Sequence, residues 1–133
     1  MAHDILIVDD EATIIVTYPN SQTIIEASWN WPIGRKDMEI YGLTGAVIAD
    51  NGRELRLRIA EGYDGFSEEE FDLDPRESPF DDPFTLLMSV VRGKVKLEPF
   101  DLSSLENNMV VMEILQAAKE SVASGKTIYL SKK

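Results

Sequence analysis

Two tryptophans stand close to two basic residues and a tyrosine in the first third of the chain, and this combination could bind a small ligand. Trp29 and Trp31 are two residues apart, a spacing that places both on one face of a β-strand. Arg35, Lys36 and Tyr41 follow them. Aromatic rings pack against the C–H faces of a sugar, and a guanidinium group holds a carboxylate or phosphate in a fork. Aromatic residues on strands more often pack at a sheet edge or an interface, so the residue types alone favour packing, and a substrate-binding site at these five residues is the second hypothesis.

Other kinds of catalytic site find little support in the residue types. The chain has no cysteine and one histidine, His3, so neither a nucleophile–histidine pair nor a zinc site is predicted. No glycine-rich phosphate-binding motif is present. The acidic pair Asp9–Asp10 consists of neighbours whose carboxylates point apart, which does not favour a shared proton. We predict no catalytic residue, no bound cofactor and no metal in this chain.

Composition narrows the class of protein further. The 133 residues are 44% apolar and 28% charged, which is typical of one globular domain. The net charge of −11 would repel a phosphate backbone, so we predict no nucleic-acid partner. No apolar run approaches the roughly 18 residues that span a bilayer, so no membrane partner is predicted.

The segment from Ala12 to Pro32 is predicted to be a β-hairpin. Apolar and polar residues alternate along it, and Pro19-Asn20-Ser21 has the composition of a turn. Before it, the apolar run Ile5–Val8 predicts a buried strand. The segment Asp4–Asp10 also resembles the start of a response-regulator receiver domain. A receiver would need a helix where the hairpin is predicted, so we do not favour that hypothesis.

The sheet is predicted to continue after a polar connection. Three further strands follow, at Met38–Tyr41, Gly45–Ala49 and Arg53–Ile59. Asn51-Gly52 predicts a type I′ turn between the second and third of these strands. Charged residues share one face of the last strand, and that face is expected to meet water or a polar partner.

An acidic segment at residues 67–82 is predicted to be a solvated loop. It holds eight acidic residues and one basic residue. A calcium or magnesium site is the alternative, although the glycine required at the sixth position of an EF-hand loop is missing.

Two helices are predicted in the second half. Asp82-Pro83 begins the first and Gly93 ends it. Ser103 and Glu106 form a capping box for the second, which runs to about Ser124 and is followed by a strand at Lys126–Leu130. The pattern predicts an α+β fold: an open, mostly antiparallel sheet of about six strands, with helices on one face and the other face open.

The closing segment Pro99–Leu130 resembles the end of the Gfo/Idh/MocA oxidoreductases, the glucose–fructose oxidoreductase and inositol dehydrogenase family. Gln116-Ala117-Ala118, Ser121 and Gly125 match the pattern of that family's last helix. The segment Ala27–Pro32, followed by residues 39–45, is similar to the family's sheet.

The resemblance implies a fragment of a larger enzyme. Family members have an N-terminal Rossmann domain that binds NAD(P), a Glu-Lys-Pro catalytic motif and an Asp-x-x-x-His motif, and this chain has none of these sequences. By resemblance, the chain is the C-terminal substrate-binding and dimerisation domain of an oxidoreductase acting on a sugar or polyol. NAD or NADP would bind the missing Rossmann domain, and the isolated chain would be inactive.

The same resemblance carries expectations about partners and location. It implies a homodimer through the open sheet face. We interpret residues 1–3 as a tag remnant and expect a cytoplasmic location, with an export signal in the missing part left open. The alternative function is a stand-alone, non-enzymatic binding or assembly module that uses the open sheet face.

Overall fold

The computed structural model describes residues 10–130 and contains six strands and two helices. These are β1 (Glu11–Thr17), β2 (Gln22–Ser28), β3 (Met38–Tyr41), β4 (Gly45–Ala49), β5 (Glu54–Glu61), β6 (Gly65–Asp72), α1 (Pro83–Val91) and α2 (Leu105–Ser124). The predicted α+β class, with open antiparallel sheets and six strands, is confirmed. The strand predicted at Ile5–Val8 and the residue His3 lie outside the described residues.

The strands form two sheets, where the sequence predicted one. One is the β1-β2 hairpin, and the other has the order β3-β4-β5-β6. The chain divides at the same place, into a unit that ends at Asn30 and resumes at Val90, and a unit from Trp31 to Ser89. Pro32 and the polar segment after it explain the break, because proline cannot donate to a ladder and residues 33–37 adopt no strand.

The hairpin is confirmed, but it ends earlier than predicted. Ile14 pairs with Ile25, and β2 stops at Ser28. There the Ser28 hydroxyl accepts a hydrogen bond from the Asn30 backbone N–H at 3.0 Å, which bends the chain out of the strand. The two tryptophans therefore follow the strand, and the prediction that a strand places them on one face is wrong.

The β4–β5 turn also differs from its prediction. The Asn51 side-chain oxygen accepts hydrogen bonds from the backbone N–H groups of Arg53 (2.8 Å) and Glu54 (3.0 Å), which holds a four-residue loop. Neither Asn51 nor Gly52 has a positive φ, so the type I′ turn is wrong. The left-handed glycine is Gly62, with φ 73°, in the β5–β6 turn.

Strand β6 occupies the first part of the segment predicted to be an acidic loop. Residues 67–72 are strand, and only 73–82 are irregular. The cause is the neighbouring strand: Glu68 pairs with Arg56 and Arg58, and Asp72 lies 3.1 Å from Arg53. These cross-strand ion pairs offset the low β-propensity of the acids.

The helix boundaries largely follow the predictions. The Asp82 carboxylate accepts from the Thr85 N–H at 2.7 Å and begins α1, and Gly93 follows its end with φ 69°. The cap of α2 is Ser104 instead of Ser103: its hydroxyl accepts from the Asn107 N–H at 3.2 Å, and it is 2% exposed.

The C-terminal end of the described chain corrects one prediction. Gly125 ends α2 with φ 64° and donates its N–H to the Ser121 carbonyl. The segment 126–130 is not a strand. Ile128, Tyr129 and Leu130 instead line a groove of about 560 Å³ with α2.

Candidate functional site

The two faces of the β3–β6 sheet have different chemistry. Cross-strand partners in an antiparallel sheet share a face, so the register assigns each side chain. One row contains Met38, Ala49, Leu55 and Phe71, and the next contains Ile40, Val47, Leu57 and Glu69. Together with Ile59, the seven apolar residues of these rows form a surface that we call the apolar platform.

The apolar platform is open. Met38 is 56% exposed and Ile40 is 54% exposed, and both lie on the edge strand β3. Ile59 and Phe71 are also exposed, whereas Leu57 is half-buried. Exposed apolar surfaces of this kind are typical of interaction sites.

The opposite surface, which we call the charged face, is neutralised by its own residues. Arg56 donates two hydrogen bonds to Asp50, each 2.7 Å long, in a bidentate pair. Arg58 donates to Glu68, which also lies 3.6 Å from Arg56. These pairs are partly exposed and lie across the middle of the sheet.

Beneath these ion pairs lies most of the small core. Ala46 and Ile48 are buried and share the charged face with the two arginines. In register, Ile48 lies between Glu39 and Arg56, and Ala46 between Tyr41 and Arg58 — an arrangement in which the aliphatic parts of long side chains cover apolar residues. The charged face therefore stabilises the sheet.

Protonation on the charged face is fixed at neutral pH. The hydrogen bonds from Arg56 lower the pKa of Asp50, and the same pair raises the pKa of Arg56. Tyr41 donates its hydroxyl to Glu39 at 2.8 Å, which raises the pKa of Tyr41. Each shift moves the pKa away from neutrality, so none of these groups is prepared to exchange a proton near pH 7.

A shallow cleft of about 570 Å³ lies beside the sheet, lined by residues 34–37 and 50–52. Arg35 and Asp37 form a bidentate pair across it, with hydrogen bonds of 3.0 and 2.6 Å. The hydrogen bonds from Arg35 lower the pKa of Asp37. Lys36 also lines the cleft.

The structure brings together three of the five predicted site residues. The Arg35 guanidinium lies over the Trp31 ring, 4.8 Å from its centre, and Lys36 follows in the same cleft. Tyr41 lies on the charged face, hydrogen-bonded to Glu39. Trp29 belongs to the other unit and is 87% exposed.

The sequence predicted an open sheet face as a partner surface, but it did not identify the residues of the apolar platform. The signal was the period-2 pattern of Ile40, Val47 and Leu57, which the register places in one row. Completing this row required the position of β6, and the three consecutive glutamates of β6 do not predict a strand.

The described part of the chain shows neither a metal site nor a membrane-spanning helix. Within residues 10–130, no group of three or more carboxylate or imidazole side chains could hold a metal ion. Neither described helix has the length and apolarity needed to cross a bilayer. No protein-family model, no curated protein and no solved structure matches the chain.

Proposed function

We propose that the chain is a non-enzymatic assembly domain that pairs with a second copy of itself through the apolar platform. The observation that carries this proposal is the contrast between the two faces of one sheet. The arginines and acids of the charged face neutralise one another, whereas Met38 and Ile40 of the apolar platform are more than half exposed. Burial of these side chains supplies the driving force for association.

The size of the sheet suits a reversible dimer. Strands lie about 4.8 Å apart and rise about 3.3 Å per residue, so strands of four, five, eight and eight residues present a face of roughly 400 Å². Two copies packed face to face would bury about 800 Å² in total, which is in the range of weak, transient interfaces. Sheets that pack in this way place their inner side chains in a layer about 10 Å thick.

A second copy fits the platform because the platform can be complementary to itself. A two-fold axis along the strands would place β3 of one copy opposite β6 of the other, and β4 opposite β5. Each row of the platform would then face the same row of the partner. Apolar residues would meet apolar residues in both rows except at the rim, where Glu69 of one copy would face Ile40 of the other.

The proposal is tested by placing a charge on the platform. Met38→Lys buries an ammonium group opposite Phe71 of the second copy and should raise the dissociation constant at least tenfold, measured by sedimentation equilibrium. Tyr63→Lys is the matched control, because Tyr63 lies in the β5–β6 turn and is fully exposed. A wild-type chain that stays monomeric at millimolar concentration would refute the proposal.

The second candidate function is the substrate-binding domain of an NAD(P)-dependent oxidoreductase. The specific observation in its favour is the Arg35 guanidinium stacked on Trp31 beside the cleft, which could hold a sugar acid or a sugar phosphate. Since Arg35 already pairs with Asp37, a ligand would have to displace that carboxylate. NAD or NADP would bind the Rossmann domain that the resemblance implies, outside this chain.

This second candidate makes a kinetic prediction for the longer enzyme. Arg35→Ala should lower kcat/KM at least tenfold, because it removes a contact to the substrate. Arg76→Ala is the control, since Arg76 lies in the irregular segment after β6. An unchanged kcat/KM in a folded Arg35→Ala enzyme would remove Arg35 from the substrate site.

A further inference from the structure

Three consecutive glutamates in β6 have different surroundings. Glu68 is on the charged face, where it pairs with Arg58 and Arg56. Glu70 lies on the same face, opposite Arg56, and contributes to raising the pKa of Arg56. Glu69 points to the other face, opposite Leu57, in the second row of the apolar platform. It has no ion pair among the described residues, and it is the one charged side chain in the two rows.

A carboxylate in this row opposes association. In a face-to-face dimer each Glu69 would lose water at the rim without gaining a cation, because it would face Ile40 of the second copy. The charge of the surrounding unit adds to this effect. Residues 31–89 contain fourteen acids and six bases, so two copies bring together units of net charge −8.

The position of Glu69 on an edge strand gives it a second effect. β6 pairs with β5 on one side only, and all of its residues are exposed. Such a strand is a template for the addition of another chain. A charge placed on the apolar side of an edge strand is one of the devices by which proteins prevent this addition.

We propose that Glu69 determines the strength and the stoichiometry of self-association through the apolar platform. The inference rests on the proposed function. Glu69 weakens the dimer enough to keep it reversible, and it prevents further copies from adding at the free edge of β6. A platform without this carboxylate associates more tightly and without a defined limit.

The experiment compares Glu69→Gln and Glu69→Leu with the wild type by sedimentation velocity and equilibrium. Glu69→Gln should lower the dimer dissociation constant about three- to tenfold, the effect expected from removing two exposed charges. Glu69→Leu should lower it further and produce species larger than a dimer. Added sodium chloride should tighten the wild-type dimer more than the Glu69→Gln dimer, because salt screens repulsion.

Glu70→Gln is the matched control. It removes the same charge from the neighbouring position on the opposite face, so it should change the dissociation constant less than Glu69→Gln. An equal or weaker effect of Glu69→Gln would overturn the role of Glu69 while leaving the assembly function standing. If neither the wild type nor any variant associates, the assembly function fails and the inference fails with it.

Discussion

The two faces of the β3–β6 sheet show how one set of alternating residues can give two unlike surfaces. On the charged face Arg56 and Arg58 are paired with acids, and beneath them Ile48 is 4% exposed. On the apolar platform no residue is so well buried, and Ile40 is 54% exposed. The polar surface is thus the one that protects the core, and the apolar surface is the one left open.

The contrast between the two faces shows that charge and burial need not exclude each other in a small sheet. Long arginine stems cover apolar surface while their guanidinium groups stay hydrated and paired. A flat row of isoleucine, valine and leucine has no such cover of its own, because its neighbours in the row are equally apolar. It therefore remains exposed to water in the single chain.

The largest effect should come from removing apolar volume beneath the charged face. Ile48→Ala should lower the free energy of unfolding by about 2–4 kcal/mol, because it leaves a cavity where the side chain is almost fully buried. Urea denaturation monitored by circular dichroism measures this change.

The matched control for Ile48→Ala is the same substitution on the apolar platform. Ile40 neighbours Ile48 across the β3–β4 pair but faces the other way, so Ile40→Ala should cost less than half as much in the monomer. Equal costs would mean that the platform is covered in solution and that the contrast between the faces is wrong.

The second-largest change in the free energy of unfolding should come from the backbone of β4, which belongs to both faces of the sheet. A Cβ added at Gly45 would lie 2.2 Å from the Arg58 carbonyl oxygen, so β4 and β5 must move apart in Gly45→Ala. We expect a loss of about 1–3 kcal/mol in the free energy of unfolding, the usual cost of overpacking. In Gly34→Ala, the control, the added Cβ meets nothing within 4 Å. If both variants unfold at the same urea concentration, β4 and β5 do not approach each other this closely at Gly45.

Much of the fold could be predicted because local signals agreed with the final structure. The proline after Asp82 and the glycine at 93 bound α1 in the sequence as they do in the structure. Alternation predicted the hairpin and strands β3 to β5. The capping serine of α2 was misplaced by one residue, since Ser103 and Ser104 offer equivalent hydroxyls and only burial distinguishes them.

The rest could not be predicted because it depends on contacts between distant residues. β6 is a strand on account of arginines ten or more residues earlier in the chain, whereas its own composition predicts a loop. The prediction of the candidate site was partly wrong for a similar reason. Trp29 and Trp31 were grouped by a spacing that has meaning only inside a strand, and the Ser28 hydroxyl ends that strand before either residue.

The smallest effect should separate the faces by their response to acid. Arg56 lowers the pKa of Asp50 below its ordinary value of 3.8, so the unfolded chain binds a proton more readily than the folded one. The stabilisation is complete above about pH 4 and is lost as the pH falls through the lower pKa of the folded state. The urea concentration at the unfolding midpoint of the wild type should therefore decrease as the pH is lowered below about 4. In Asp50→Asn this decrease should be smaller. Asp64→Asn is the control, because Asp64 lies in the β5–β6 turn without an ion pair in the described part of the chain. Since the platform rows contain no arginine–carboxylate pair, Met38→Lys should lose dimer at every pH, whereas Asp50→Asn should have a lower urea midpoint than the wild type at neutral pH and approach it in acid.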